Sequence, residues 1–541
     1  MVRHVLAATT LAVFPAAAAP CQTGPAASDR CAGLASAELA GAKVMMASTV
    51  AAGSFTPPAS LSPWMAGDPA FYKTLPAFCR VVARATPSAD SEIPVEVWLP
   101  LEGWNGKLQG QGNGGFAGEI GFRGLAAAVK AGYASAATDT GHSGGGTDAR
   151  WALGHPEKVV DFGYRAIHVM TQVAKAAILR YYGGAPRHAY FASCSNGGRQ
   201  ALMEAQRFPE DYDGILAGAP ANFWTHLLTK ALADAQATTA DPASYIPPGK
   251  LPAIAGAVNA ACDAQDGVKD GVVNDPPRCH FDPASLLCQG SESEACLTAP
   301  QVRALEELYT GPRDSRGREV FPGYLPGAEL GEGGWTPWIT GPAPGKSLMV
   351  AFASGYFGNM VYEMADWDYR HADVAQALTA AEQRTARTMD AVDSNLEAFQ
   401  ARGGKLIVYH GWNDPAISAL NSVHYVDAVV STLGRAKADG FLRLYLVPGM
   451  QHCGDGPGAT SFGQFGVSDA KDPGRNISLA LERWVEQGQA PSAIVATRFV
   501  DNDPAKGAQR TRPLCPYPQV ARYAGGNPDD AASFACGPQT P

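Results

Sequence analysis

Beyond its N-terminal stretch the chain has no run of 18 or more consecutive apolar residues, so it offers no candidate for a membrane-spanning helix. It also has no long basic run, and its formal net charge is −9. Nucleic acid and anionic membrane surfaces are therefore not expected partners. There is no internal repeat and no low-complexity linker, which excludes a solenoid or a string of tethered modules. The charged fraction is 17% against 46% hydrophobic residues, the balance of a soluble globular protein rather than a disordered one. What is plentiful is glycine (60) and proline (41), which points to many ordered loops rather than a helical bundle. At 541 residues the chain is longer than one core usually supports, so two domains or one large decorated domain is expected.

The N-terminus reads as a short positive region, Met1–His4, an apolar stretch, Val5–Phe14, and a small-residue segment, Pro15–Pro20. That pattern predicts a secretory signal peptide over residues 1–19, cut near Ala18 or Ala19. The mature protein is then secreted or periplasmic, in a compartment where disulfides persist. There are 11 cysteines, an odd number, so at most ten pair. Cys21, at the start of the mature chain, is the expected spare, and Pro20 before it fits a lipidation site poorly.

Two stretches carry alternating strand and helix signals, the mark of an α/β fold. In the first, strands are expected at Val95–Leu99, Gly132–Thr138, His188–Ala192 and Gly214–Ala219. Helices are expected at Ala126–Lys130, Phe162–Tyr182 and Arg199–Arg207, and a glycine-rich turn at Lys107–Gly118. In the second, Leu406–His410 and Leu442–Val447 read as strands and Leu479–Gln487 as a helix. Between them the pattern breaks into proline, glycine, cysteine and aspartate. The expected architecture is a discontinuous catalytic domain, residues 20–222 and 404–541, with an inserted lid domain over 223–403. The tail beyond about Asn502 reads as loop.

The chemistry is written at two dipeptides. Cys194 immediately precedes Ser195, and Cys453 immediately follows His452. A disulfide between those cysteines would bring their Cα atoms to about 4.4–6.8 Å. It would thereby carry a serine and a histidine, distant in sequence, toward the roughly 2.6–3.2 Å that a nucleophile and its base require. Ser193-Cys-Ser-Asn-Gly197 follows a strand and opens a helix, close to the G-x-S-x-G elbow of α/β-hydrolases with Ser193 in place of the first glycine. The backbone N–H of Asn196 can donate to an oxyanion. A second donor is expected from the loop Gln111–Phe116, at Gly114 or Gly115, and the sequence does not choose between them. In this fold the acid follows the serine and precedes the histidine. Asp414, at the end of a strand and turn, is the candidate, oriented to hold His452. Taken singly, each is an ordinary feature: a Ser/Gly loop, a turn aspartate, a structural histidine. Their order and the flanking cysteines make the sharper reading.

The set Cys194-Ser-Asn-Gly-Gly198, His410-Gly-Trp-Asn-Asp-Pro415 and Gly449-Met-Gln-His-Cys453 resembles the tannase and feruloyl esterase family of α/β-hydrolases. Gly112–Phe116 and Phe162–His168 are similar to further family segments. The resemblance implies a Ser195, Asp414, His452 triad linked by a Cys194–Cys453 disulfide. It implies the pairs Cys31–Cys79, Cys262–Cys279, Cys288–Cys296 and Cys515–Cys536, which spacing alone could not assign. It also implies a structural calcium ion in the lid. Asp263, Asp266 and Asp270 would bind by side chain and Val268 and Val272 by main-chain carbonyl, an oxygen set suited to a hard cation. No organic cofactor is expected. The implied reaction is hydrolysis of a small aromatic ester, borne on plant cell-wall polysaccharide or tannin, with feruloyl esterase as first choice. Tannase is an alternative, as is mono(2-hydroxyethyl) terephthalate hydrolase, for which the lid stretch 346–358 offers only Lys346 as a cation. A serine peptidase and a phenolic- or carbohydrate-binding protein on a hydrolase scaffold are the readings from outside that group. His410 and Trp412 are candidate substrate contacts, and Trp335, Trp338, Phe352, Tyr356 and Phe357 candidate lid walls.

Overall fold

Strands buried on both faces cannot alternate polar with apolar residues. Ala134–Thr138 and Gly214–Gly218 accordingly carry only small or apolar residues and a few hydroxyls, and every position in both is buried. They lie inside a ten-stranded sheet in a computed structural model that describes residues 1–2, 27–60, 68–465 and 471–538. The expected signal peptide, apart from its first two residues, and Cys21 lie outside the described residues.

The sheet strands are β1 (Glu38–Leu39), β2 (Ala42–Val50), β3 (Phe78–Ala85), β4 (Ile93–Pro100), β5 (Lys107–Gln111), β6 (Ala134–Thr138), β7 (His188–Cys194), β8 (Gly214–Gly218), β9 (Lys405–Gly411) and β10 (Leu442–Val447). Their order is β1-β2-β3-β4-β6-β5-β7-β8-β9-β10. Pairing is antiparallel from β1 to β6 and parallel from β6 to β10. The period of two sorts side chains to opposite faces. Leu406 and Val408 of β9 pack on one face with the helix Ala166–Tyr182. Ile407 and Tyr409 pack on the other with Leu481 and Trp484 of the helix Ile477–Gln487.

The chain leaves β5 for β6 on one side and then returns past it to β7 on the other. Such a reversal opens a crevice at the carboxyl ends of the strands. The loops after β5, β7, β9 and β10 all leave from that edge. They contain Gly114, Ser195, Asp414 and His452 in turn.

The segment between β8 and β9 is helical and irregular, with helices such as Trp224–Thr239, Leu251–Cys262, Ala299–Thr310 and Leu348–Tyr356. Part of it packs on itself around Ile254, Leu305 and Trp335. Another part packs Leu228, Met349 and Tyr356 against Phe116, Phe162 and Ile417 from the crevice edge.

Three expectations change. Lys107–Gln111 is strand β5, and the glycine-rich turn begins only at Gly112. Gly110 reads as a turn residue but is a packing one: a Cβ there would lie 2.3 Å from the Tyr212 hydroxyl. Strands β1 to β3 precede the first expected strand; β2 carries Lys43, Met45 and Met46 in a mixed, half-exposed pattern with no clear period. The tail is also not loop throughout. Its β12 (Ala508–Leu514) pairs antiparallel with β11 (Ile494–Phe499), just before the tail, and its β13 (Gln519–Tyr523) with β14 (Phe534–Pro538). The last three strands are half-exposed, so they lack the apolar alternation that reveals a buried one.

Candidate active site

β7 runs directly into Ser195, whose backbone sits at φ 67° and ψ −126°. Non-glycine residues rarely occupy that region and need their surroundings to enforce it. Crowding does so here. A Cβ on Gly197 would lie 1.9 Å from Ser193 Oγ, and one on Gly198 2.2 Å from the Gly218 carbonyl, so only glycine fits at either place. The Ser195 N–H donates to that same Gly218 carbonyl at 2.9 Å, tying the turn to β8. The helix Asn196–Arg207 starts at once, and its first N–H groups have no acceptor within the helix.

Asp414 stands three residues past β9. Its Oδ1 accepts from the N–H groups of Ala416 and Ile417 at 2.8 and 2.9 Å. Its Oδ2 accepts from His452 Nδ1 at 2.8 Å and His410 Nε2 at 3.2 Å. Burial alone would raise this carboxyl, but the charge of His452 and the hydrogen bonds from His410 and His452 outweigh it. The net effect holds the group well below the usual carboxylate range. His452 Nε2 lies 2.9 Å from Ser195 Oγ. With Nδ1 donating to Asp414, Nε2 carries a lone pair toward the serine hydroxyl and can take its proton.

Cys194 and Cys453 are bonded, with Cα atoms 6.0 Å apart across a sequence separation of 259. The pairs Cys31–Cys79, Cys262–Cys279, Cys288–Cys296 and Cys515–Cys536 are bonded as well.

Gly115 takes φ 53°, and a Cβ there would meet the Gly146 carbonyl at 2.1 Å. In the same loop Asn113 N–H donates to Gln200 Oε1 at 3.0 Å and Phe116 N–H to Gly146 at 2.7 Å. Among the described residues neither Gly114 nor Gly115 N–H has an acceptor within the protein, so both remain available to a ligand.

Two expected substrate contacts lie elsewhere. His410 has no exposed surface. Its Nε2 also faces the Ile417 carbonyl at 3.0 Å, so it carries the proton, and Nδ1 accepts from the Ser422 hydroxyl at 2.8 Å. It supports Asp414 from behind. Trp412 is buried against Leu325 and Ala419. Of the lid aromatics, Trp338 meets the His452 ring in a T-shaped contact, with ring centroids 4.9 Å apart. It stacks with Phe352 at 6.3 Å, which in turn meets Phe116 at 5.2 Å. Trp335, Tyr356 and Phe357 have no exposed surface and belong to the lid core.

Two supporting residues escaped sequence reasoning. Arg199, fully buried, donates to Asn196 Oδ1 at 2.9 Å and to the carbonyls of Gly163 and Phe162 at 2.8 and 3.0 Å. Burial pushes its guanidinium down to about 9 despite the charge of Asp390. Its position directly after Cys194–Gly198 was the available signal. His142 donates from Nε2 to the Phe116 carbonyl at 2.7 Å and stacks on Trp151 at 3.7 Å, bracing the Gly114–Gly115 loop. Nothing in its local sequence marks it.

In the loop after Cys262, Asp263 Oδ1 accepts from Asp270 and Gly271 N–H at 3.1 and 3.0 Å, and Asp266 Oδ1 from Val268 N–H at 3.0 Å. Asp270 Oδ1 accepts from Val272 N–H at 3.1 Å. Its Oδ2 also meets Arg512 at 2.6 Å and Arg510 at 3.0 Å, partners not foreseen from sequence.

A mixed sheet whose parallel half carries a strained serine after one central strand, and an acid and a histidine after two later ones, defines an α/β-hydrolase. Comparison places it more closely. The family described as tannase and feruloyl esterase matches residues 79–537, and the chain belongs to that family of carboxylic ester hydrolases. An uncharacterized esterase of Xanthomonas campestris pv. campestris is 42% identical, over 95% of this chain and 92% of that protein. A mono(2-hydroxyethyl) terephthalate hydrolase of Piscinibacter sakaiensis is 33% identical, over 85% of each. The crystal structure of feruloyl esterase B from Aspergillus oryzae superposes with a TM-score of 0.86 at 28% identity, covering 95% of this chain and 100% of that one.

Burial holds the His142 imidazolium down to about 4, from 6.5 in the unfolded chain. Between those values the unfolded state binds the proton and the folded state does not, so stability falls as pH drops from 6.5 toward 4. His142→Gln keeps an amide donor for Phe116 and removes the titration. Melting temperatures across that window should fall less steeply in the variant.

Proposed function

We propose that the protein is a secreted or periplasmic feruloyl-type esterase that uses Ser195, His452 and Asp414 in acyl transfer. The observation that carries this is the hydrogen-bonded line from Asp414 Oδ2 through His452 to Ser195 Oγ. Ser195 Oγ attacks the ester carbonyl as its proton passes to His452 Nε2. The oxyanion is held by the Asn196 N–H and one from Gly114 or Gly115. Collapse of that intermediate breaks the C–O bond, and His452 gives its proton to the departing alcohol. Water, deprotonated by His452, then attacks the acyl-enzyme and frees the acid and Ser195. Asp414 keeps Nδ1 protonated and stabilises the imidazolium. Trp338 and Phe352 are the apolar wall against which an aromatic acyl group would lie. Five disulfides and the apolar leader support export. The alcohol would belong to a small ester or to plant polysaccharide.

The loop Asp263–Val272 is proposed as the structural calcium site. Burial, with the charge of Asp270 adding to it, raises the Asp266 carboxyl, a penalty that a cation would relieve. Asp263, Asp266 and Asp270, with the carbonyls of Val268 and Val272, would supply hard oxygen donors. The ion takes no part in the acyl-transfer steps.

Incubation with methyl ferulate, methyl gallate and mono(2-hydroxyethyl) terephthalate should release ferulic acid fastest, read by chromatography. Ser195→Ala should lower kcat on the order of 10⁴-fold or more with an unchanged melting curve. Dominant gallate or terephthalate release would redirect the substrate assignment, and no release of any acid would favour a binding protein. Stripping calcium with a chelator should lower the melting temperature reversibly in the unaltered protein and have no effect in Asp263→Ala.

A further inference from the structure

Behind the serine elbow, three side chains from three elements converge. Glu204 lies on the helix that begins at Asn196, His168 on the helix Ala166–Tyr182, and Asp211 in the turn before β8. One ligand-type atom from each lies within 4.8 Å of the others. Asp211 Oδ2 is 2.6 Å from His168 Nδ1. Asp211 Oδ1 accepts from Gln172 Nε2 at 2.7 Å and meets Lys175 Nζ at 3.4 Å. The His168 ring is held against Phe208 at 4.0 Å, and a third of its side chain is exposed, which leaves a path in from solvent.

Glu204 is the anomaly. It is 1% exposed, and neither carboxylate oxygen has a hydrogen-bond donor. Buried polar groups without partners are costly and uncommon. The oxygens are directed at a second buried carboxylate, Asp211, at 2% exposure. Lys175 can offset one of the two charges, not both. None of these residues takes part in the acyl transfer.

We infer that His168, Glu204 and Asp211 form a site for a divalent transition metal, distinct from the lid loop. One imidazole nitrogen and two carboxylates are a ligand set that suits Zn²⁺, at roughly 2.0–2.2 Å per ligand. The set has too few oxygens for calcium, which takes about six to eight. Gln172 and Lys175 act as outer partners that orient Asp211. The site joins the serine-bearing helix to its neighbour and to the turn before β8, so its role is to fasten the base of the elbow.

The test is calorimetric titration of the chelator-stripped full chain with ZnCl₂ in saturating Ca²⁺, which keeps the lid loop occupied. One saturable equivalent per chain is expected, with a raised melting temperature. His168→Asn and Glu204→Gln should each weaken that event by about 100-fold or more, beyond the effect of altering outer partners. His168→Asn lies at a partly exposed position, so it tests the site even if the buried Glu204→Gln fails to fold. Absence of a saturable event in the unaltered protein would overturn the site, as would an event unchanged in His168→Asn.

Discussion

The arrangement depends on one covalent constraint. The Cys194–Cys453 bond closes a loop spanning 259 residues between the serine turn and the histidine loop. In the loop-entropy model such a closure removes on the order of 5 kcal/mol of freedom from the unfolded chain. That is comparable to the whole net stability of many domains, about 5–15 kcal/mol. The bond lies one residue from each reacting group. It therefore limits the separation of Ser195 and His452 more directly than the intervening sheet does, since β7 and β10 are separated by β8 and β9.

The remaining contacts finish what the bond begins. Asp414 fixes the imidazole's tautomer, His410 and two backbone N–H groups fix Asp414, and Ser422 fixes His410. Arg199 ties the start of the serine helix to the Phe162–Gly163 backbone, and His142 braces the glycine loop opposite. Each group next to the reacting atoms is thus held by a buried neighbour. From the lid, Trp338 meets His452 in a T-shaped contact on one side of the site.

Much of this could be read from residues alone. The parallel strands β6 to β10, except β5, carry dense apolar runs, and those announce themselves. The serine, acid and histidine follow strand ends in the order the fold requires, and the flanking cysteines tie two of them together. What stayed hidden has physical reasons. β2 and the tail strands are half-solvated, so their pattern resembles loop. β5 contains Gly110, whose missing side chain makes room for Tyr212 and imitates a turn. Sequence conveys the proximity of His410 to Asp414 and not the side of it, which is why His410 reads as a substrate contact. Glu204, His168 and Asp211 come from separate elements with no shared motif, and only the fold brings them together.

The most direct measurement is the rate at which a fluorophosphonate labels Ser195, located by peptide mass spectrometry, in the unaltered protein and in the C194S/C453S double variant. The account predicts rapid, stoichiometric labelling at Ser195 in the first. In the second it predicts a rate at least about tenfold slower, in protein that still melts cooperatively, because the serine and its base are no longer held at hydrogen-bond distance. Equal rates in the two proteins, or an adduct on a residue other than Ser195, would contradict it.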